Sequence, residues 1–143
     1  MSKNLMSSPP SLGRRLASMF YEILLLLGVL SVTFILPHIL LGVLAQRSVM
    51  PAIVQLHFFL VLMAYFCWFW LHGGQTLAMR TWKVRIVSTI GQTPLSKQQA
   101  VVRYIAAWPS ILLFGLGIIW MFFDRDRQFL HDRLAGTEIT WAE

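Results

Sequence analysis

The chain has one cysteine, Cys67, among its 143 residues, and it lies inside an apolar run. No intramolecular disulfide can form, and the thiol reads as a small apolar filler. Charge is equally sparse: Asp, Glu, Lys and Arg make up 13% of the residues. Residues 23–45, 52–71 and 104–123 contain none of the four. A soluble domain of this length has no interior large enough for so much uncharged chain. Recognised catalytic patterns are missing too. There is no glycine-rich phosphate loop, no nucleophile elbow and no plausible triad. Gly73-Gly74-Gln75-Thr76 is too short to cradle a phosphate without a following lysine. An enzyme is therefore not expected, and nothing in the sequence calls for a cofactor.

What is present is apolar: 57% of the residues are hydrophobic. Each uncharged run has the roughly 20 residues that a helix needs to cross about 30 Å of hydrocarbon. Only helices or closed barrels satisfy their backbone inside lipid, and the runs lack the strict alternation of barrel strands. The expected class is an all-α membrane protein. It has two long transmembrane helices, a third apolar helix that is broken or re-entrant, and a small cytoplasmic β element. The first apolar run is too long for a signal peptide and offers no clear cleavage site, so it should remain as an anchor.

Residues 1–12 are polar and proline-containing and read as a disordered leader. The membrane domain covers residues 13–143, with helices at about 14–45, 52–72 and 98–123. Pro37 should kink the first helix. Trp82, Val84 and Ile86 alternate with Lys83 and Arg85, a strand signature over residues 81–88, and Gly91-Gln92-Thr93-Pro94 supplies turn chemistry. Ile139 and Trp141 alternate again over 137–141. Such strands can pair only if both lie on one side of the membrane.

The net charge of +6 does not point to nucleic acid, because the basic residues flank apolar spans, where anionic leaflets select them. The lipid bilayer is the expected partner. Lys3, Arg14 and Arg15 precede the first span, and Arg47 alone sits in the first connection. Arg80, Lys83, Arg85, Lys97 and Arg103 fill the middle segment, and Arg125, Arg127 and Arg133 the tail. The positive-inside rule places the N-terminus and the middle segment in the cytoplasm. Three plain crossings would then put the arginine-bearing tail outside. A third run broken near Trp108-Pro109 and Gly115 would return the tail to the cytoplasm. The alternative is three ordinary spans, with the tail's five acids offsetting its arginines. Acids count little in this rule, which favours the return.

Glu22 is the costly residue. It opens a run of more than twenty uncharged residues, and a carboxylate there costs on the order of a few kcal/mol. Arg15, seven residues earlier, lies on a similar helix face. One reading makes Glu22 a proton or cation ligand; the other makes it a structural ion pair with Arg15 or a tail arginine. His38 and His57 fall at similar depth in the first two helices and form a candidate polar path. No metal site is expected, since no further ligands stand at recognised spacing. In the tail, Asp124-Arg125-Asp126-Arg127 suggests a solvated surface face. Asp132 is expected to accept backbone N–H bonds at a helix-to-strand turn beside Arg133.

These motifs together resemble the RDD family of bacterial membrane proteins. Gly13-Arg14-Arg15-Leu16-Ala17 with Tyr21-Glu22 is similar to its opening. Gly74-Gln75-Thr76, Met79-Arg80, residues 84–87 and Gly91 are similar to its polar segment. Gln128-Phe129-Leu130-His131-Asp132-Arg133-Leu134-Ala135-Gly136-Thr137 is similar to its closing motif. The naming arginine falls on Arg14 or Arg15, the second aspartate on Asp132, and the first on Glu22, which departs from the pattern by one methylene. The resemblance implies a multi-pass protein of the bacterial inner membrane, involved in transport, with cation/proton exchange proposed for some members. On that reading Glu22 titrates with Arg15 as partner, and Asp132 and Arg133 order the cytoplasmic face. Two or three spans are too few to enclose a path, so a homo-oligomer or larger membrane complex is expected, with a monovalent cation or proton as the transported species. The alternative function is a non-transporting scaffold or accessory subunit, in which Arg15, Glu22 and Asp132 form a structural charge lock.

Overall fold

The computed structural model describes residues 9–91, 93–113 and 115–142. Most of the expected leader, residues 1–8, therefore lies outside the described residues, as does Gln92 of the expected turn. The remaining leader residues are ordered against the protein. Pro10 is buried, and Ser11 caps helix α1 (Leu12–Leu30), its side chain accepting from the Arg14 amide. That bond satisfies one of the donors a helix start leaves open.

The first span runs without a break in direction from Leu12 to Ala45. Pro37 is absorbed by a widened π turn, Ser31–Ile35, which leads into α2 (Leu36–Ala45). The Leu36 amide reaches back five residues to the Ser31 carbonyl. Proline clashes with the carbonyl four residues before it, and the wider turn relieves that clash where a kink was expected. Gln46, in the left-handed region, ends the span. The second span is α3 (Pro51–Leu71), opened by a proline whose missing N–H costs nothing there. Large apolar side chains stay on the outside, with Leu44 80% and Val43 69% exposed. Such faces suit hydrocarbon, not water.

Beyond α3 the chain builds a polar cap. Thr76 caps the short α4 (Leu77–Thr81) by accepting from the Met79 amide. Strand β1 (Val84–Ser88) pairs antiparallel with β2 (Thr137–Trp141), with Ile86 opposite Ile139. Gly74, at φ +69°, lies where any Cβ would come within 2.4 Å of the Ile86 carbonyl oxygen. Only glycine allows the Ile86 amide to bond the Gly74 carbonyl at 2.8 Å. A capping box of Ser96 and Gln99 opens α5 (Lys97–Leu112).

The third apolar run is broken, as expected. α5 and α6 (Leu116–Phe123) meet at 95°, across a left-handed Gly115. Gly117 lets α6 approach α5, since a Cβ there would stand 2.3 Å from the Ser110 Cβ. The pair then leads to α7 (Leu130–Ala135) and β2. Because β1 precedes this pair and β2 follows it, the sheet requires the pair to enter and leave at the same end of the helices. The foot of α1 joins that end: Arg14 Nη1 donates to the Trp82 carbonyl at 2.9 Å. The core beneath is Leu62, Trp70, Ile86, Leu95, Ala100 and Tyr104, so α3, β1 and α5 share one packed centre.

Candidate functional site

One face of α1 is buried at positions 15, 18 and 22, the helical three-and-four spacing. That face meets α4 and α3. Glu22 is 8% exposed. The Tyr65 hydroxyl donates to its Oε1 at 2.6 Å, and the Thr76 hydroxyl donates to its Oε2. Thr76 is held in place by its own cap bond from Met79, and the Tyr65 ring lies 4.9 Å from that of Phe69. Tyr65 is about 9 Å, six residues of rise, from the polar end of α3.

The expected Glu22–Arg15 ion pair does not form. Arg15 is 5% exposed, with Nε donating to the Pro10 carbonyl at 2.9 Å and Nη1 to the Arg127 carbonyl at 2.8 Å. Its guanidinium lies over the Phe129 ring. Arg14 stacks over Trp141. Neither arginine has a carboxylate partner among the described residues. The three-residue lock of Arg15, Glu22 and Asp132 is likewise not assembled.

The difference matters chemically. A guanidinium can only donate, so it commits a carboxylate to its ionised form. A hydroxyl can donate or accept. Ionised Glu22 takes both hydroxyl protons; protonated Glu22 can give its own proton to one hydroxyl, which then turns its hydrogen elsewhere. Both charge states are hydrogen-bonded, which removes most of the penalty for a buried polar group.

His38 and His57 come together near the other end of the spans, with ring centroids 5.0 Å apart. Phe34 covers both, at 4.6 and 5.4 Å. His38 Nδ1 lies 2.7 Å from the Phe34 carbonyl oxygen. A carbonyl only accepts, so that nitrogen donates to it. Sixteen residues, about 24 Å of helix, separate Glu22 from His38. The two sites do not touch.

Asp132 does not accept the backbone N–H bonds expected of it. It forms a buried ion pair with Arg103. Arg103 also donates to the Thr137 hydroxyl at 3.0 Å and lies over the Trp70 ring at 5.0 Å. Arg133 instead reaches Asp124 at 2.6 Å and Asp126 at 3.5 Å, so part of the predicted solvated face is a folded salt-bridge turn. His131, 6% exposed, stacks on Phe129. Burial, and then the positive charge of Arg103, push its imidazole from 6.5 down to about 3. Among the described residues, no group of three or more His, Cys, Asp or Glu side chains is placed to hold a metal.

Tyr65 and Arg103 carry no sequence signal of this role, and Thr76 stands out only as part of the Gly74-Gln75-Thr76 motif. Tyr65 sits among apolar and aromatic neighbours, and Thr76 follows a glycine pair discounted as a phosphate loop. Arg103 stood out only as a charge at the edge of an apolar run.

The chain matches the RDD family over residues 9–136. It is also similar to the uncharacterized protein RP437 of Rickettsia prowazekii (strain Madrid E), with 32% identity over 80 residues. That alignment covers 56% of this chain and 44% of the relative, so the chain spans less than half of the relative's length. No solved structure matches it.

Proposed function

The chain belongs to the RDD family, and from that premise we propose that it acts in transport, exchanging a cation for a proton at Glu22. It would work as a homo-oligomer in the bacterial inner membrane, with its N-terminus in the cytoplasm. The observation that carries this reading is the pair of hydroxyls on Glu22. A carboxylate at the edge of a long uncharged span is held by two groups that tolerate both of its charge states, and by no cation among the described residues. A purely structural carboxylate is more simply stabilised by a fixed positive partner. The basic end of the protein, with Arg80, Lys83 and Arg85 exposed, suits an anionic cytoplasmic leaflet. Two spans and one re-entrant pair enclose no channel alone, which is the reason for invoking an oligomer.

A scaffold or accessory role is favoured by a different observation. The Arg103–Asp132 pair ties α5 to α7 at full burial, as a docking platform requires. The two readings separate in proteoliposomes loaded with a pH-sensitive dye and exposed to sodium or potassium gradients. Ion-dependent proton flux is expected from the wild type and its loss from Glu22→Gln, which keeps an acceptor for one hydroxyl and offers the other a donor. Equal flux in the variant removes Glu22 from the mechanism. Absence of flux with every ion tested favours the scaffold.

A further inference from the structure

At the foot of α1 is a second polar site that exchange at Glu22 does not use. A cavity of about 90 Å³ is lined there by Pro10, Ser11, Leu12, Arg15, Met121 and Arg127. That is about three times the liquid volume of one water. It has room for a tetrahedral oxyanion.

Arg15 and Arg127 are both among its lining residues. Arg15 is 95% buried by its 5% exposure, yet its partners are all neutral: two carbonyls, the Met121 thioether at 3.9 Å and the Phe129 ring. Neither Arg15 nor Arg127 lies within ion-pair distance of a carboxylate among the described residues. A buried cation with no carboxylate partner among the described residues is expensive. The backbone has the same sign here. The Leu12 and Gly13 amides begin α1 and have no partner inside the helix, and the helix dipole is positive at this end.

We propose that this cavity binds a phosphate group, as a monoester, a diester or free phosphate. Arginine is suited to that role, because its planar fork matches phosphate oxygens. Arg15 lies eight residues, about 12 Å of helix, before the uncharged run beginning at residue 23. A lipid headgroup and a soluble phosphate can both reach that depth. The inference does not rest on transport.

The test uses the full chain in detergent micelles. Native mass spectrometry compares retained phosphatidylglycerol with phosphatidylcholine. Thermal melting compares inorganic phosphate with chloride at equal ionic strength. Selective retention of phosphatidylglycerol without a phosphate effect identifies a lipid headgroup. Stabilisation by inorganic phosphate without lipid preference identifies a soluble phosphate. In either case Arg127→Gln, at an exposed side chain that should not disturb folding, weakens binding about tenfold, the loss of one charge-assisted contact. Arg125→Gln, an exposed arginine outside the cavity, leaves binding unchanged. Arg15→Lys, which keeps the charge but not the fork, weakens it as well. Equal loss in the Arg125 and Arg127 variants would reduce the effect to surface charge and overturn the site, as would no binding of either probe.

Discussion

The Tyr65 hydroxyl donates a 2.6 Å hydrogen bond to Glu22 Oε1, joining the two membrane spans. The geometry sets how each partner should respond to substitution.

Tyr65→Phe removes one donor from a buried carboxylate and should destabilise the protein by about 1.5–3 kcal/mol, the range for hydrogen bonds to charged groups. Thr76→Val should cost more, because it also removes the α4 cap, worth about 1 kcal/mol. Thr76→Ser should be nearly neutral. Equilibrium unfolding in detergent measures all three. A Tyr65→Phe loss below about 0.5 kcal/mol would show that the bond does not hold the spans together.

Arg103 and Asp132 are both almost fully buried, so breaking the pair from one side strands a charge. Asp132→Asn or Arg103→Met should each cost about 3–5 kcal/mol. The double variant Arg103→Met with Asp132→Leu should cost far less than the two single changes together, since no charge is left behind. Additive losses in that double-mutant cycle would mean the two side chains act independently.

His131 sets a pH dependence. Its imidazole titrates near 6.5 when unfolded and at about 3 when folded, so the unfolded chain binds the extra proton between those values. Stability is therefore complete above pH 6.5 and falls as the pH drops toward 3, at about 1.4 kcal/mol per pH unit from this group. His131→Phe, which keeps the stacking on Phe129, should flatten the wild-type slope between pH 6.5 and 5 in the same unfolding assay. Parallel curves for the two proteins would assign the acid sensitivity to other groups.

The strand pairing fixes relative topology. With Cys67 replaced by Ala, single cysteines at Thr140 and Lys83 should react with a membrane-impermeant maleimide from the same side of sealed vesicles. A cysteine at Ser48 should react only from the opposite side. Labelling of the first two from opposite sides would contradict the β1–β2 sheet.

The sequence by itself determined the membrane class, the two spans and the break in the third apolar run. Those follow from local properties: the length of uncharged stretches, glycine and proline positions, and alternation in short strands. It also marked Glu22 as costly, because position in an apolar run suffices to show that. It did not reveal the partners. Helix periodicity pairs Glu22 with Arg15, its neighbour on the same helix, but the structure gives it Tyr65 and Thr76, 43 and 54 residues away. Asp132 likewise took Arg103 across α5 and α7 in place of a local turn. Helical periodicity reports which residues share a face. Which face meets which is decided only when the spans pack and the bent helix pair brings the two strands together. Glu22 thereby gains hydroxyls in place of a fixed positive charge.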